Sequence, residues 1–198
     1  MKNLITILFL VISFVSFSKE TNKFSEREIQ MMVEINRLRV NPKSYIPKTE
    51  AYIVMCNKKL EKIKGGTLTT TGNIQNQIDA ANELIDILNN TPSLNELIPN
   101  EDMFLITKSH GEYLKSINST SHKGPNGELA PKRMSKLNFG SVTENIVNDN
   151  GMIGPTILLL LVDAGIDSRG HRNNLLDPNA KYISVYTNGT YWIQNFTY

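Results

Sequence analysis

Ser168-Arg169-Gly170-His171-Arg172-Asn173-Asn174-Leu175-Leu176-Asp177-Pro178 is the stretch from which the rest of the chain is best read. It has the form of a short helix, with Ser168 placed to cap its first amides and Asp177-Pro178 barring its continuation. His171 stands in the first turn, where an imidazole can reach a neighbouring cavity. Just upstream, Pro155 to Gly165 reads as a second helix: proline suits its first position, Ile157 to Val162 is apolar on every side, and glycine suits its C-terminal cap. A helix of that composition is buried. Asp163 near its end is therefore awkward, because the free carbonyls there disfavour an acid by about 0.3 to 1 kcal/mol. Either a cation nearby relieves it or the side chain reaches solvent.

Working outward, Tyr182 to Thr187 and Tyr191 to Phe196 flank Asn188-Gly189, which predicts a tight hairpin with a primed turn. On the other side, Val142-Thr143-Glu144-Asn145-Ile146 reads as a strand in which Glu144 shares a face with Val142 and Ile146. An acid on an apolar face needs a partner; if the segment is instead the entrance to a loop, Glu144 is an ordinary surface acid. Asn118 to Pro131 is polar, with Gly124-Pro125 and Asn126-Gly127 as turn dipeptides, and forms an exposed loop carrying His122. His110 lies in the helical pattern that precedes this loop. A single histidine is more often a structural hydrogen-bonder than a ligand.

The N-terminal half is helical. Ser25 and Glu28 form a capping box ahead of Ile29, Met32, Val33, Ile35 and Leu38, so a helix spans 25–40 until Asn41-Pro42 stops it. A weaker helical segment covers 44–63, a loop or insertion 65–72, and another helix 74–88. Helices come first and strands last, with no repeat and no second domain boundary.

Lys2 followed by the apolar run Leu4 to Phe17 has the architecture of a signal peptide, and cleavage after Ser18 is expected, with an uncleaved anchor helix as the alternative. The run is shorter than the roughly 20 apolar residues of a membrane span. Residues 19–198 then form one domain. The chain of 198 residues carries 21 Lys and Arg against 19 Asp and Glu, with no basic stripe, which excludes a nucleic-acid partner. Cys56 is the only cysteine, so no intramolecular disulfide can form; its apolar neighbours Ile53, Val54 and Met55 suggest a buried thiol, with a reactive surface thiol as the alternative. No nucleophile elbow, zincin motif, zinc-finger cysteines or phosphate-binding glycine loop is present.

Taken in order, several motifs resemble the CAP superfamily, or SCP domain, of cysteine-rich secretory proteins, antigen 5 and pathogenesis-related proteins. They are Glu34-Ile35-Asn36-Arg37-Leu38-Arg39-Val40-Asn41-Pro42, Ser109-His110-Gly111-Glu112-Tyr113 and Ser121-His122-Lys123-Gly124-Pro125-Asn126-Gly127. Thr143-Glu144-Asn145-Ile146, the stretch around His171, and Tyr191-Trp192-Ile193-Gln194-Asn195-Phe196 complete the set. The resemblance implies an α+β fold, a three-layer α-β-α sandwich ending in the C-terminal hairpin, with the segment within about 44–73 as a helical extension or insertion. It also implies a cleft in which His122, Glu144 and His171, with Asp163 or its competitor Asp167 as the fourth member, bind a divalent metal such as zinc weakly. Thr143 stands where the family usually has glycine, and the disulfides of many eukaryotic members are missing, as in a bacterial-type member. The function so implied is that of a secreted or periplasmic binding module, a monomer without a membrane span after cleavage, whose extracellular ligand could be a sterol or other lipid. A metal-assisted hydrolase with Glu144 activating water is the alternative, and a purely hydrogen-bonded structural cluster a third.

Overall fold

The computed structural model describes residues 23–63, 68–149 and 151–198. The expected signal peptide over 1–18 lies outside them. Helix α1 (Glu26–Val40) starts at the capping box: the Ser25 hydroxyl accepts the Glu28 N–H at 3.4 Å, and Glu28 Oε2 accepts the Ser25 N–H at 2.6 Å. Its apolar stripe of Met31, Met32, Ile35 and Leu38 is buried. Two polar residues of the same helix have structural work. Asn36 pairs with both backbone groups of Leu97, and the buried Arg39 donates to the carbonyls of Asn95, Leu175 and Asp177.

Beyond a short 3₁₀ turn, α2 (Ile46–Lys62) and α3 (Leu68–Asn90) pack as a helical hairpin against the outside of the later helix α6 (Ile153–Val162). Helix α3 begins at Leu68, so the loop expected through Gly72 is helical from there on. Glycine in a helix costs roughly 1 kcal/mol relative to alanine, which packing against α2 outweighs.

The sheet has four strands in the order β1 (Ile98–Pro99), β3 (Tyr182–Thr187), β4 (Tyr191–Thr197), β2 (Val142–Asn148). β1 runs parallel to β3, and β3 and β2 run antiparallel to β4, which leaves β2 at an edge. The register sets Glu144, Asn195 and Ser184 side by side on one face, and Asn145, Gln194 and Val185 on the other. Helix α4 (Glu101–Ile117) covers the first face. Thr107 accepts from Asn195 at 3.3 Å, and Gly111 lies so close that a Cβ there would fall 2.5 Å from the Tyr186 ring. Short α5 (Ala130–Arg133) lies against β2, while α1, α6 and α7 (Gly170–Leu176) cover the other face. The result is the α+β, three-layer arrangement with C-terminal strands that the motifs imply.

Local expectations need correction around the deciding stretch. Pro155 is the third residue of α6, still within the first turn, where a missing N–H breaks no intrahelical bond. The helix ends at Asp163, with φ 50°, and Gly165, with φ 85°, follows in the loop. Ser168 caps nothing: Arg169, with φ 49°, precedes α7, and the His171 amide is taken by Asp163, since an ionised carboxylate is the stronger acceptor. The hairpin turn is wider than a two-residue primed turn. Residues 188–191 lie between the Thr187–Trp192 pair, the Asn188 side chain accepts the amides of Thr190 and Tyr191, and Gly189 alone among them has positive φ.

Candidate functional site

Glu144 lies on the edge strand with its side chain 3% exposed. Its Oε1 accepts from His122 Nδ1 at 3.0 Å and lies 3.7 Å from His110 Nε2, and its Oε2 accepts from Arg133 Nη2 at 2.5 Å. An acid on that face is tolerated because a guanidinium compensates its charge. Arg133 also donates to the carbonyls of His122 and Glu128, so one side chain fastens the loop that carries His122 to the acid that His122 meets. His110 Nε2 donates to the Ser121 carbonyl at 3.2 Å, while its Nδ1 is buried without a partner. Burial, only partly opposed by Glu144, holds His110 below the ordinary histidine value of 6.5.

A second acid–histidine pair forms at the junction of α6 and α7. Asp163 Oδ1 accepts from His171 Nδ1 at 2.7 Å, and Oδ2 accepts the His171 N–H at 2.9 Å. Burial by itself raises the Asp163 carboxyl, but the bonds from His171 outweigh it and hold the group below its ordinary 3.8. Cationic side chains gather at this awkward helix end. Arg172, itself buried, donates to the carbonyls of Leu161, Val162 and Ala80 and pairs with Glu83 at 2.6 Å, while Arg169 joins Glu83 to the Asp163 carbonyl. Asp163, not Asp167, is the acid bonded to His171.

His122 is thus brought to Glu144 and His171 to Asp163. Asn145 and Asn174 connect them: Asn145 Nδ2 donates to the His171 carbonyl at 3.3 Å, and Asn174 Nδ2 to Asn145 Oδ1 at 2.8 Å and to the Glu144 carbonyl at 3.5 Å. Because a carboxylate only accepts, each histidine donates through Nδ1, and in the neutral imidazole that tautomer has its lone pair on Nε2. Neither Nε2 has a hydrogen-bond partner among the described residues. His122 and Arg133 each bond one of the two Glu144 oxygens. Among the described residues no group of three or more His, Cys, Asp and Glu is arranged to hold an ion. A cavity of about 350 Å³ adjoins the second pair, lined by Asp163, His171, Tyr52, Gln77 and apolar side chains of α6 and β2.

Arg133 and Glu83 are the residues that sequence reasoning missed. Arg133 lies eleven positions from both His122 and Glu144, a separation with no periodic meaning. Glu83 is one polar residue on an amphipathic helix, and its partners lie more than eighty positions downstream.

No family model matches the chain, and no curated protein does. It is similar to the solved structure of an extracellular protein containing an SCP domain from Bacillus anthracis, at 21% identity and a TM-score of 0.45 over 63% of this chain and 38% of that one. An outer surface protein of Borrelia burgdorferi is similar at 19% identity and a TM-score of 0.45, over 61% of this chain and 87% of that one. A cysteine-rich secretory protein of Staphylococcus aureus is similar at 15% identity and a TM-score of 0.41, over 63% of this chain and 38% of that one. The chain spans well under half the length of the Bacillus and Staphylococcus chains. Through its ordered motifs this chain resembles the CAP superfamily, in a form whose one cysteine is a free, buried thiol.

Proposed function

We propose that the protein is an extracellular binding module whose two acid–histidine pairs present imidazole nitrogens at the open edge of the sheet. One observation carries this reading: each acid engages its histidine through Nδ1, at 3.0 Å and 2.7 Å, and so fixes the tautomer that leaves Nε2 available. His122 and His171 would hold zinc or another divalent ion, and Glu144 and Asp163 would orient them. When bound, the ion supplies a positive, polarising centre for an incoming ligand. The cavity beside His171 gives that ligand an apolar contact. Export from the cytoplasm, with removal of residues 1–18, belongs to the same reading and is supported by the N-terminal apolar run. Among the described residues no helix is long and apolar enough to cross a membrane.

The hydrolase alternative is disfavoured by the same geometry. It needs Glu144 as a general base, and a carboxylate tied to Arg133 at 2.5 Å and to His122 is poorly placed to take a proton from water. Isothermal titration of zinc into the wild type and His122→Ala/His171→Ala, at pH 7.5 and 5.5, tests the proposal. Neutral imidazole is the binding form, so tighter binding is expected at pH 7.5 than at pH 5.5. Equal binding by the double variant would leave the four residues as a hydrogen-bonded structural cluster.

A further inference from the structure

The solvent side of α1 presents Glu26, Gln30, Val33 and Arg37 as one exposed row, spaced by four, three and four residues. An acid opens the row and a base closes it. Laid antiparallel against a copy of itself, the row sets Glu26 opposite Arg37 at both ends and Gln30 opposite Val33 between them. Both charges are held only by surface contacts within their own helix. Glu26 Oε1 accepts from Gln30 Nε2 at 3.2 Å, and Arg37 Nη1 donates to Glu34 at 3.3 Å from a side chain that is 73% exposed. Such contacts are worth little in water and exchange readily.

The seam between α1 and α6 is shaped for the same pairing. Helix α6 carries no charged residue, and Arg27 ties its approach to α1 by donating to the Gly151 carbonyl at 3.0 Å. Met152, at the start of α6, is 76% exposed and lies beside the Glu26–Gln30 half of the row. Beside the other half a groove of about 430 Å³ opens between Ile29, Val33 and Arg37 of α1 and Ile153 and Gly154 of α6. A two-fold axis lying in this face, across α1, exchanges the two halves. The rotation that pairs Glu26 with Arg37 therefore carries Met152 of each copy to the groove of the other, where a flexible, unbranched side chain can fill an irregular gap. We propose that the α1–α6 face is the contact between two copies of this chain, antiparallel through α1, with Met152 as the apolar anchor. Charge favours a second copy over a lipid surface: Glu26 and Glu34 balance Arg27 and Arg37 along α1, whereas helices that lie on membranes have a basic face. The dimer departs from the monomer that the motifs imply, and it rests on neither acid–histidine pair.

Sedimentation equilibrium of the exported protein, from micromolar to submillimolar concentration, compares the wild type with Met152→Glu, Glu26→Arg and Arg37→Glu, with thermal melts alongside. A reversible dimer is expected for the wild type. Met152→Glu should weaken it at least about tenfold, because a carboxylate would have to enter an apolar groove. Glu26→Arg and Arg37→Glu each turn both end contacts into like-charge pairs, and a loss of at least about tenfold is expected for either alone. Mixed in equal amounts, the two single variants should recover the wild-type affinity as a heterodimer, since each altered charge then meets its opposite. Only folded chains can recover in this way, so the mixture separates a broken contact from a broken fold. A wild type that stays monomeric throughout, a dimer indifferent to Met152→Glu, or single variants that do not recover on mixing overturns the proposal. Flotation of a monomeric wild type on phosphatidylcholine vesicles, lost in Met152→Glu, overturns it in favour of a lipid surface.

Discussion

The two acid–histidine pairs contain the same side-chain chemistry and are built in opposite ways. Glu144 belongs to a strand and reaches its compensating charges through side chains alone, chiefly Arg133, across a loop that the same arginine holds in place. Asp163 belongs to a helix end and is stabilised by its own neighbourhood: the amide and ring of His171, with Arg169 and Arg172 satisfying the surrounding carbonyls. The first pair depends on one long-range ion pair, the second on a dense set of backbone contacts. A buried carboxylate on a strand has no free amides beside it, whereas one at a helix junction does.

The sharpest way to break the first pair is Arg133→Met. It leaves Glu144 buried beside His122 without its guanidinium, and a loss of about 3–5 kcal/mol in chemical denaturation is expected. Arg133→Met/Glu144→Leu should recover most of that loss, because removing both charges removes the penalty. Equal stability of the single and double variants would show that the ion pair is not what holds the His122 loop.

For the second pair, Asp163→Asn keeps the shape and removes the charge, and a smaller loss of about 1–3 kcal/mol is expected because Arg169 and Arg172 still satisfy the backbone. Its imidazole should lose its fixed tautomer, visible as altered His171 ring-nitrogen shifts in NMR spectra. A loss as large as that of Arg133→Met would erase the contrast between the pairs.

Acid should separate the two pairs by pH. Burial holds folded His110, beside the first pair, below 6.5, so the unfolded chain takes up that proton first, and stability is lost as pH falls below about 6.5 towards the folded value. Folded Asp163 lies below 3.8, so its contribution is present above that value and is lost as pH falls through the folded pKa. A plot of melting temperature against pH should show both losses, His110→Phe removing the upper and Asp163→Asn the lower. A profile flat between pH 7 and 5 in the wild type would contradict the role of His110.

The smallest effect expected is none. Cys56 is free and buried, so reductant should leave the melting temperature unchanged, and a fall would reveal an intermolecular disulfide.

Local chemistry settled much of this molecule at the level of sequence. The Ser25–Glu28 capping box, the stop at Asn41-Pro42 and the two C-terminal strands are decided by residues within a few positions of one another, so periodicity and turn chemistry suffice to read them, whereas α6, apolar on every side, leaves Leu159 46% exposed. The awkwardness of Asp163 and Glu144 was equally visible, because burial of an acid conflicts with its immediate neighbours whatever lies further away. What relieves each conflict was not. Arg133, Arg172 and Glu83 act across distances in sequence that carry no pattern, and Asp163 displaced Ser168 as the cap of α7 only because the chain turns through three residues of positive φ, Asp163, Gly165 and Arg169, to bring it there. The two-residue strand β1 exists because Asn36 of α1 holds Leu97 beside it, and the cavity beside His171 exists because the α2–α3 hairpin lies against α6. Propensity acts over a few residues, whereas charge compensation and enclosure require parts of the chain that meet only after folding.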